Sequence, residues 1–246
     1  MTAPELGYFE VAGSRIAYRL RDGRSPTLVF LPGYASDMEG AKAVALDAFA
    51  GERGVGMLRL DYSGTGSSGG KFEDGTLDRW LGEALAAVDQ LTQGPLVIVG
   101  SSMGGWIALH LALRRRERVQ ALVGIAASAD FTDWGFPETV RDLLREHGRL
   151  GDPSSGGVPV MTHDFWKSGQ ELLLLGGDID THCPVRLVHG DADKEVPLEV
   201  ALRTMARLRS GDVQLTVIKD GGHRMSEPHE IAAILRNIAA LLEPQP

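Results

Sequence analysis

The stretch Leu96 to Leu113, LVIVGSSMGGWIALHLAL, constrains this chain more than any other. An apolar run of strand type passes through a turn of small residues into a helical pattern. In the turn, Gly100, Ser102 and Gly104 form a G-x-S-x-G. Such a turn reads as an elbow, where a strand reverses sharply into a helix and strains the backbone of the middle residue. Strand and helix nearly touch there, hence the glycines. Ser102 Oγ is expected at the carboxyl edge of a sheet, above the positive end of the helix. The main-chain N–H of Met103 is expected to face the same spot, where it could hold a developing oxyanion.

Context has to support the pattern. With 31 glycines in 246 residues, a G-x-S-x-G arises by chance about once in five such chains. A second copy, Gly66-Ser67-Ser68-Gly69-Gly70, lies between the turn-rich DYSGT and the polar KFEDG. No strand delivers it and no helix receives it, so it reads as a loop.

The remaining chain supplies a sheet for the elbow. Tyr8 to Ala12 and Arg15 to Leu20 alternate around Gly13-Ser14 as a hairpin. Buried-strand runs follow at Thr27–Leu31, Val55–Leu60, Val119–Ala126, Val185–His189 and Val213–Lys219. Helical spacing covers Ala41–Gly51, Thr76–Leu91, Pro197–Leu208 and Glu227–Leu242. From Asp130 to Cys183 the rhythm changes, with Phe131, Trp134, Phe136, Phe165, Trp166 and a Gly/Ser-rich break, GDPSSGG. Helical pieces are expected there at Pro137–His147 and Thr162–Leu175. The segment is too long for an ordinary connection and reads as a cap inserted over the sheet, residues 130–183 of a single domain spanning 1–246. The count predicts an α/β fold: about eight strands, mostly parallel and doubly wound, with a small helical cap.

Composition narrows the function. A net charge of −8 argues against nucleic acid and anionic membranes as partners. No apolar run approaches the ~18 residues of a membrane span. The opening MTAPELGYFEV has no basic or apolar leader region, and the single cysteine fits a reducing compartment. A cytoplasmic protein is expected. The triplet Arg114-Arg115-Arg116 sits near a helix end, where cations suit the dipole. No His/Cys/Asp/Glu spacing suggests a metal site, and no cofactor is expected.

A serine hydroxyl needs a base, and the base needs an orienting acid. On this architecture the chain order should be serine, acid, histidine. Only His223 and His229 follow the last candidate acid. His223 stands after a strand and the flexible Asp220-Gly221-Gly222 turn, so its ring can reach over the sheet edge; His229 sits in a helix start. The acid must follow the Val185–His189 strand, where Asp191, Asp193 and Glu195 are nearly tied. A second oxyanion donor is expected from the loop LPGYASDM, where Gly33 lets the backbone turn the N–H of Tyr34 inward.

The segments LPGYASDM, RLDYSGTGSS, VGSSMGGWIALH, THCPVRLVHGDADKEVP and HRM together resemble the serine α/β-hydrolase superfamily. Within it they are most similar to the mitochondrial-type acyl-protein thioesterase and acyl-glucuronide esterase subfamily of abhydrolase-domain proteins. The resemblance runs from about Leu31 to Met225. It implies Ser102 as nucleophile, Asp193 as acid, His223 as base, and Tyr34 and Met103 as oxyanion amides. Asp61 is shared too and is expected to pin its loop.

A cofactor-free serine esterase or thioesterase acting on a small acyl ester or thioester is therefore expected. Trp134, Phe136, Phe165 and Trp166 are candidates for an apolar acyl pocket, and aromatics at this density serve equally as cap core. Arg224, next to the base, is a candidate for meeting a substrate carboxylate. The alternatives are a non-catalytic ligand-binding protein of the same fold, or a peptidase or C–C bond hydrolase using the same three residues.

Overall fold

The computed structural model describes residues 4–151 and 160–243. Five interior strands carry nearly continuous apolar runs, and these form the middle of one eight-stranded sheet. They are β3 (Arg24–Leu31), β4 (Val55–Leu60), β5 (Leu96–Ser101), β6 (Val119–Ile125) and β9 (Val185–Gly190). The hairpin β1 (Leu6–Val11) and β2 (Ser14–Arg21) borders them on one side, and β10 (Val213–Ile218) on the other. The order is β1-β2-β4-β3-β5-β6-β9-β10. Within this sheet, among the described residues, the β1/β2 and β2/β4 pairings are antiparallel and the others parallel.

The hairpin turns one residue earlier than expected. Ala12 (φ 49°) and Gly13 (φ 77°) occupy it, the two positive-φ positions of the tight turn that suits strand twist. Ser14 is buried as the first residue of β2.

Period-two alternation feeds both faces. Leu96 and Ile98 enter one core, with α2 (Leu77–Leu91) and α3 (Met103–Arg114), while Val97 and Val99 enter the other, with α1 (Ala41–Arg53) and α8 (Pro228–Leu242). In α2, Leu77, Trp80, Leu81, Ala84, Ala87 and Val88 are buried, the i, i+3, i+4 stripe of a helix lying on a sheet. A further helix, α7 (Leu198–Arg207), links β9 to β10.

Chain direction reverses at β3. From there the chain moves outward to β4, then returns to place β5 on the opposite side of β3. A crevice opens at such a reversal, at the carboxyl ends of the strands. The register pairs Leu31 with Gly100, so the loop after β3 and the elbow after β5 leave the sheet side by side.

Between β6 and β9 runs a long crossover segment. It holds α4 (Phe131–Trp134), α5 (Glu138–His147), the short strands β7 (Arg149–Leu150) and β8 (Met161–Thr162), and α6 (His163–Gln170). Helix α6 is shorter than its apolar pattern suggested. Its Thr162 cap accepts from Phe165 N, and Leu172 to Leu175 continue as an irregular return strand of chain. That return is fixed by the buried carboxylate of Asp130, which accepts from Leu174 N (2.9 Å) and Leu175 N (2.7 Å). Most of GDPSSGG lies outside the described residues.

Candidate active site

Main-chain contact builds the elbow. Ser102 has φ 53° and ψ −122°, a backbone state costly for a residue with a side chain. Its N–H donates to Ile125 O (2.9 Å), and its carbonyl accepts from Gly105 N (2.8 Å) and Ser128 N (3.1 Å). These three bonds hold the strained residue from β6, the loop that follows it and α3. The flanking glycines are explained by distance. A Cβ on Gly100 would stand 2.2 Å from Gly104 O, and one on Gly104 2.1 Å from Leu31 O. No side chain fits at either position.

Ser102 Oγ donates to His223 Nε2 at 3.0 Å, and His223 Nδ1–H donates to Asp193 Oδ2 at 2.8 Å. The carboxylate fixes the tautomer: Nδ1 carries the proton and Nε2 is left with a lone pair toward the hydroxyl. Asp193 Oδ1 accepts from the N–H groups of Glu195 and Val196, each at 2.9 Å. Burial pushes the Asp193 carboxyl upward, but the His223 bond and these N–H groups more than offset it and hold it below the ordinary carboxylate range. The acid therefore stays ionised although its side chain is only 1% exposed.

The three nearly tied carboxylates are separated by geometry. Asp191 turns outward to Lys219 Nζ (3.2 Å) and Asp220 N (2.6 Å). Glu195 is 69% exposed and lies 3.8 Å from His223 Nε2. Asp193 alone reaches Nδ1. What brings it there is a close approach that the sequence reading missed. A Cβ on Gly190 would stand 2.1 Å from Gly221 O, and Ala192 N donates to that same oxygen at 3.0 Å. The loops after β9 and β10 therefore touch through main chain, with Asp193 on one and His223 on the other. The glycine that ends β9, in HGD, and the one in the turn after β10, in DGGH, are the signal that marks it.

The other histidines stand elsewhere. His189 is buried beneath the acid, donating Nε2–H to Val196 O (2.9 Å), 3.5 Å from Asp193 Oδ2. His110 Nε2–H donates to Leu172 O (2.8 Å), while Arg114 donates to its Nδ1 (2.9 Å). Burial, reinforced by the Arg114 charge, lowers its pKa to about 4 against the weaker pull of that carbonyl. His229 is exposed at the start of α8. The arginine triplet is paired throughout, Arg115 with Asp89 and Arg116 with Asp180 in addition to Arg114 with His110.

The loop after β3 runs against the elbow. A Cβ on Gly33 would be 3.2 Å from Ser102 Cβ and 3.8 Å from its Oγ. Tyr34 follows Gly33, and Met103 opens α3, so the Met103 N–H is one of those a helix leaves without an internal acceptor. Asp61 ties this loop to the next, accepting from Met38 N (2.7 Å) and Ser67 N (2.8 Å). The second G-x-S-x-G is loop throughout, and its Ser68 hydroxyl donates to Asp61 O (2.7 Å).

The aromatic residues of the crossover segment divide. Phe136 lines an apolar cavity of 300 Å³ with Tyr34, Val140, Leu150 and Met161. Phe165 does not line it. It is sealed in a ring cluster with Tyr34, Trp80 and Phe131, at centroid separations of 4.8 to 5.8 Å. Trp134 and Trp166 likewise act as tethers, donating indole N–H to Ala129 O (2.8 Å) and Thr132 O (3.1 Å). Arg224 is exposed, and its carbonyl accepts from Lys42 Nζ. Among the described residues no group of three or more His, Cys, Asp or Glu could hold a metal ion, and no helix is long and apolar enough to cross a membrane.

Residues 26–173 match the sequence model of the alpha/beta hydrolase fold family. The human mitochondrial palmitoyl-protein thioesterase ABHD10 is 37% identical over 234 residues, covering 93% of this chain and 76% of its own. The solved structure of mouse alpha/beta hydrolase domain-containing protein 10 superposes with a TM-score of 0.91 at 36% identity, covering 97% of this chain and 98% of that one. A putative hydrolase from Agrobacterium vitis gives 0.90 at 38% identity, covering 97% and 99%. The curated relatives carry "mitochondrial" in their names, which overturns the expectation of a cytoplasmic protein drawn from the opening residues and the cysteine count. Composition reports the redox setting of a compartment, and more than one compartment is reducing. With more than half its length matched by the family model and this relative sharing 37% of aligned residues, the chain belongs to the alpha/beta hydrolase fold family, alongside the ABHD10 proteins.

Proposed function

We propose that this chain hydrolyses carboxylic esters or thioesters of acyl groups through an acyl-enzyme formed on Ser102. The observation that carries the reading is the continuous Ser102–His223–Asp193 hydrogen-bond chain set on a strained elbow. The ABHD10 relatives are named palmitoyl-protein thioesterases, which supports an acyl thioester as one substrate class.

As Ser102 Oγ bonds to the carbonyl carbon, its proton passes to His223 Nε2. The charge that develops on the carbonyl oxygen is met by the N–H groups of Tyr34 and Met103, each such donor being worth ~3 kcal/mol of barrier. Asp193 stabilises the imidazolium. Collapse breaks the bond to the leaving oxygen or sulfur, which takes the proton from Nε2. Water then gives a proton to Nε2 and attacks the acyl carbon, releasing the acid and restoring Ser102. Water is the only co-substrate. The crossover segment serves as a cap whose Phe136-lined cavity takes the acyl chain, and Arg224 faces solvent beside the base, where a substrate carboxylate would meet it.

Ser102→Ala is expected to lower p-nitrophenyl ester turnover by about 10⁵-fold or more and to abolish fluorophosphonate labelling, with the circular dichroism spectrum unchanged. Asp193→Asn should cost about 10⁴-fold. Wild-type turnover by purified Ser102→Ala refutes the assignment, and a near-normal rate for Asp193→Asn moves the acid to Asp191 or Glu195. A non-catalytic binder would fail to label from the outset.

A further inference from the structure

The loop that carries His223 is fixed at both ends, and between them by one buried side chain and one hydrogen bond. At its start Gly221 lies against Gly190 and Glu230: a Cβ there would stand 3.1 Å from the Cα of the first and 3.2 Å from Oε1 of the second. At its end Glu227 caps α8, its N–H donating to Glu230 Oε2 (2.8 Å). Between these points Met225, at a φ of 47°, buries its side chain in the core that α1 and α8 share. Among the described residues, the main chain of residues 222–226 makes one hydrogen bond to another element. Lys42 Nζ donates to Arg224 O, the carbonyl of the residue after His223.

That lysine stands 182 residues earlier in the chain, on the frame that also supports the elbow. It is the second residue of α1, which opens where the loop after β3 ends. The loop lies against Ser102 at Gly33 and is held at Met38 N by Asp61, so the root of Lys42 is fixed relative to the reacting hydroxyl. An ordinary surface lysine keeps its ammonium in water. This one is half-buried, and burial lowers its pKa against the pull of Glu230. It gives up hydration and rotamer freedom to meet a carbonyl rather than a carboxylate.

We propose that Lys42 is a positioning residue for the base: its ammonium holds the Arg224 carbonyl and so sets the reach of His223 Nε2 toward Ser102 Oγ. Successive Cα atoms are about 3.8 Å apart, so a shift at Arg224 passes to the His223 ring with little loss. On the other side of the ring, Gly222 offers no resistance, since a Cβ there would meet nothing within 4 Å. Without the lysine the segment can pivot at Gly222. The Ser102–His223 bond, at 3.0 Å, has little length to spare before it is lost. Lys42 acts through His223 and not on the substrate. The inference rests on His223 being the base of an acyl hydrolase.

The test is turnover of p-nitrophenyl butyrate by the full chain carrying Lys42→Met, which keeps the stem and removes the donor, or Lys42→Arg, which restores one. Lys42→Met is also measured together with His223→Ala. Lys42→Met should lower kcat about tenfold or more with KM within about twofold, since misplacing a reacting group by 1 Å costs up to about a hundredfold. Lys42→Arg should recover most of that loss. In the His223→Ala background Lys42→Met should change the residual rate by less than about twofold, because no ring is left to position. If Lys42→Met shifts the urea midpoint, Lys42→Gln carries the measurement. A smaller fall in kcat, a change confined to KM, no recovery by arginine, or the same loss with His223→Ala overturns the role of Lys42. The two readings fail differently. Wild-type turnover by His223→Ala removes the base and its support together, while a crippled His223→Ala beside a fully active Lys42→Met removes the support alone.

Discussion

Main-chain atoms hold the elbow, whereas side chains hold the crossover segment above it. At the elbow, Gly100 and Gly104 bring strand and helix to distances where a methyl group would overlap a carbonyl. Over it, the crossover segment hangs from Trp106 Nε1 to Leu172 O (3.1 Å) and Asp78 N to Ser168 Oγ (2.9 Å), and is braced internally by Gln170 Nε2 to Thr132 Oγ1 (3.0 Å). The first arrangement has no slack, because peptide groups cannot be trimmed or re-aimed. The second spreads its energy over several side chains, each worth about 1 kcal/mol net, so its shape can change one residue at a time. In the proposed reading, reaction chemistry sits on the rigid part and substrate choice on the adjustable one.

Paired glycine substitutions test that contrast directly. In Gly104→Ala the new methyl would stand 2.1 Å from Leu31 O and 2.6 Å from Pro32 O. Neither carbonyl can move without pulling β3 out of register, so a loss of about 3 kcal/mol or more is expected in urea denaturation. Gly176→Ala, on the return of the crossover segment, meets nothing within 4 Å and should leave the midpoint in place. Equal effects from the two would dissolve the distinction.

Acid should loosen one of the side-chain tethers between helix and crossover segment. His110 donates to Leu172 O only in the tautomer that Arg114 enforces, and a second proton has nowhere to go. The native state keeps His110 neutral down to about pH 4, against an ordinary value of 6.5. Between those values the unfolded chain binds a proton that the native chain does not, so stability falls as the pH drops through the window and is complete above it. From pH 7 to 5 the contribution lost is about 2 kcal/mol. His110→Gln cannot titrate, and the pH dependence of its unfolding free energy should be shallower than wild type by that amount. Parallel curves would show that the ring is protonated in place.

The same contrast explains which features could be read from the chain. Glycines forced by main-chain contact leave a mark that survives without coordinates, so the elbow was legible, while His223 was legible from its place in chain order after a strand and a glycine turn. Strand runs such as LVIVGS were legible because both faces of each are buried. In the crossover segment a short helix, α4, and two-residue strands carry no period to read, and Leu172 to Leu175 keep a helical spelling while the N–H groups of Leu174 and Leu175 turn to Asp130. Trp134 and Trp166 look apolar in sequence but serve through their indole N–H groups. The choice among Asp191, Asp193 and Glu195 was open for a different reason: it depends on the Gly190–Gly221 contact between two loops far apart in the chain.

The smallest expected effect concerns the acid that lost that contest. Glu195 Oε2 lies 3.8 Å from His223 Nε2, the nitrogen that must receive the serine proton. A carboxylate on that side cannot hold Nδ1–H in place, so it cannot orient the ring as Asp193 does. Being mostly exposed, it acts on the imidazolium through water, where a charge pair is worth about 0.5 kcal/mol. Glu195→Gln should therefore change kcat/KM by roughly threefold at most, with the difference shrinking as salt is added. It should also fail to deepen the loss in Asp193→Asn, because a residue at the wrong nitrogen has no orienting role to take over. A double variant far weaker than Asp193→Asn alone would mean that Glu195 already shares the work of the acid, and that the loop after β9 is less rigid than the glycine contact requires.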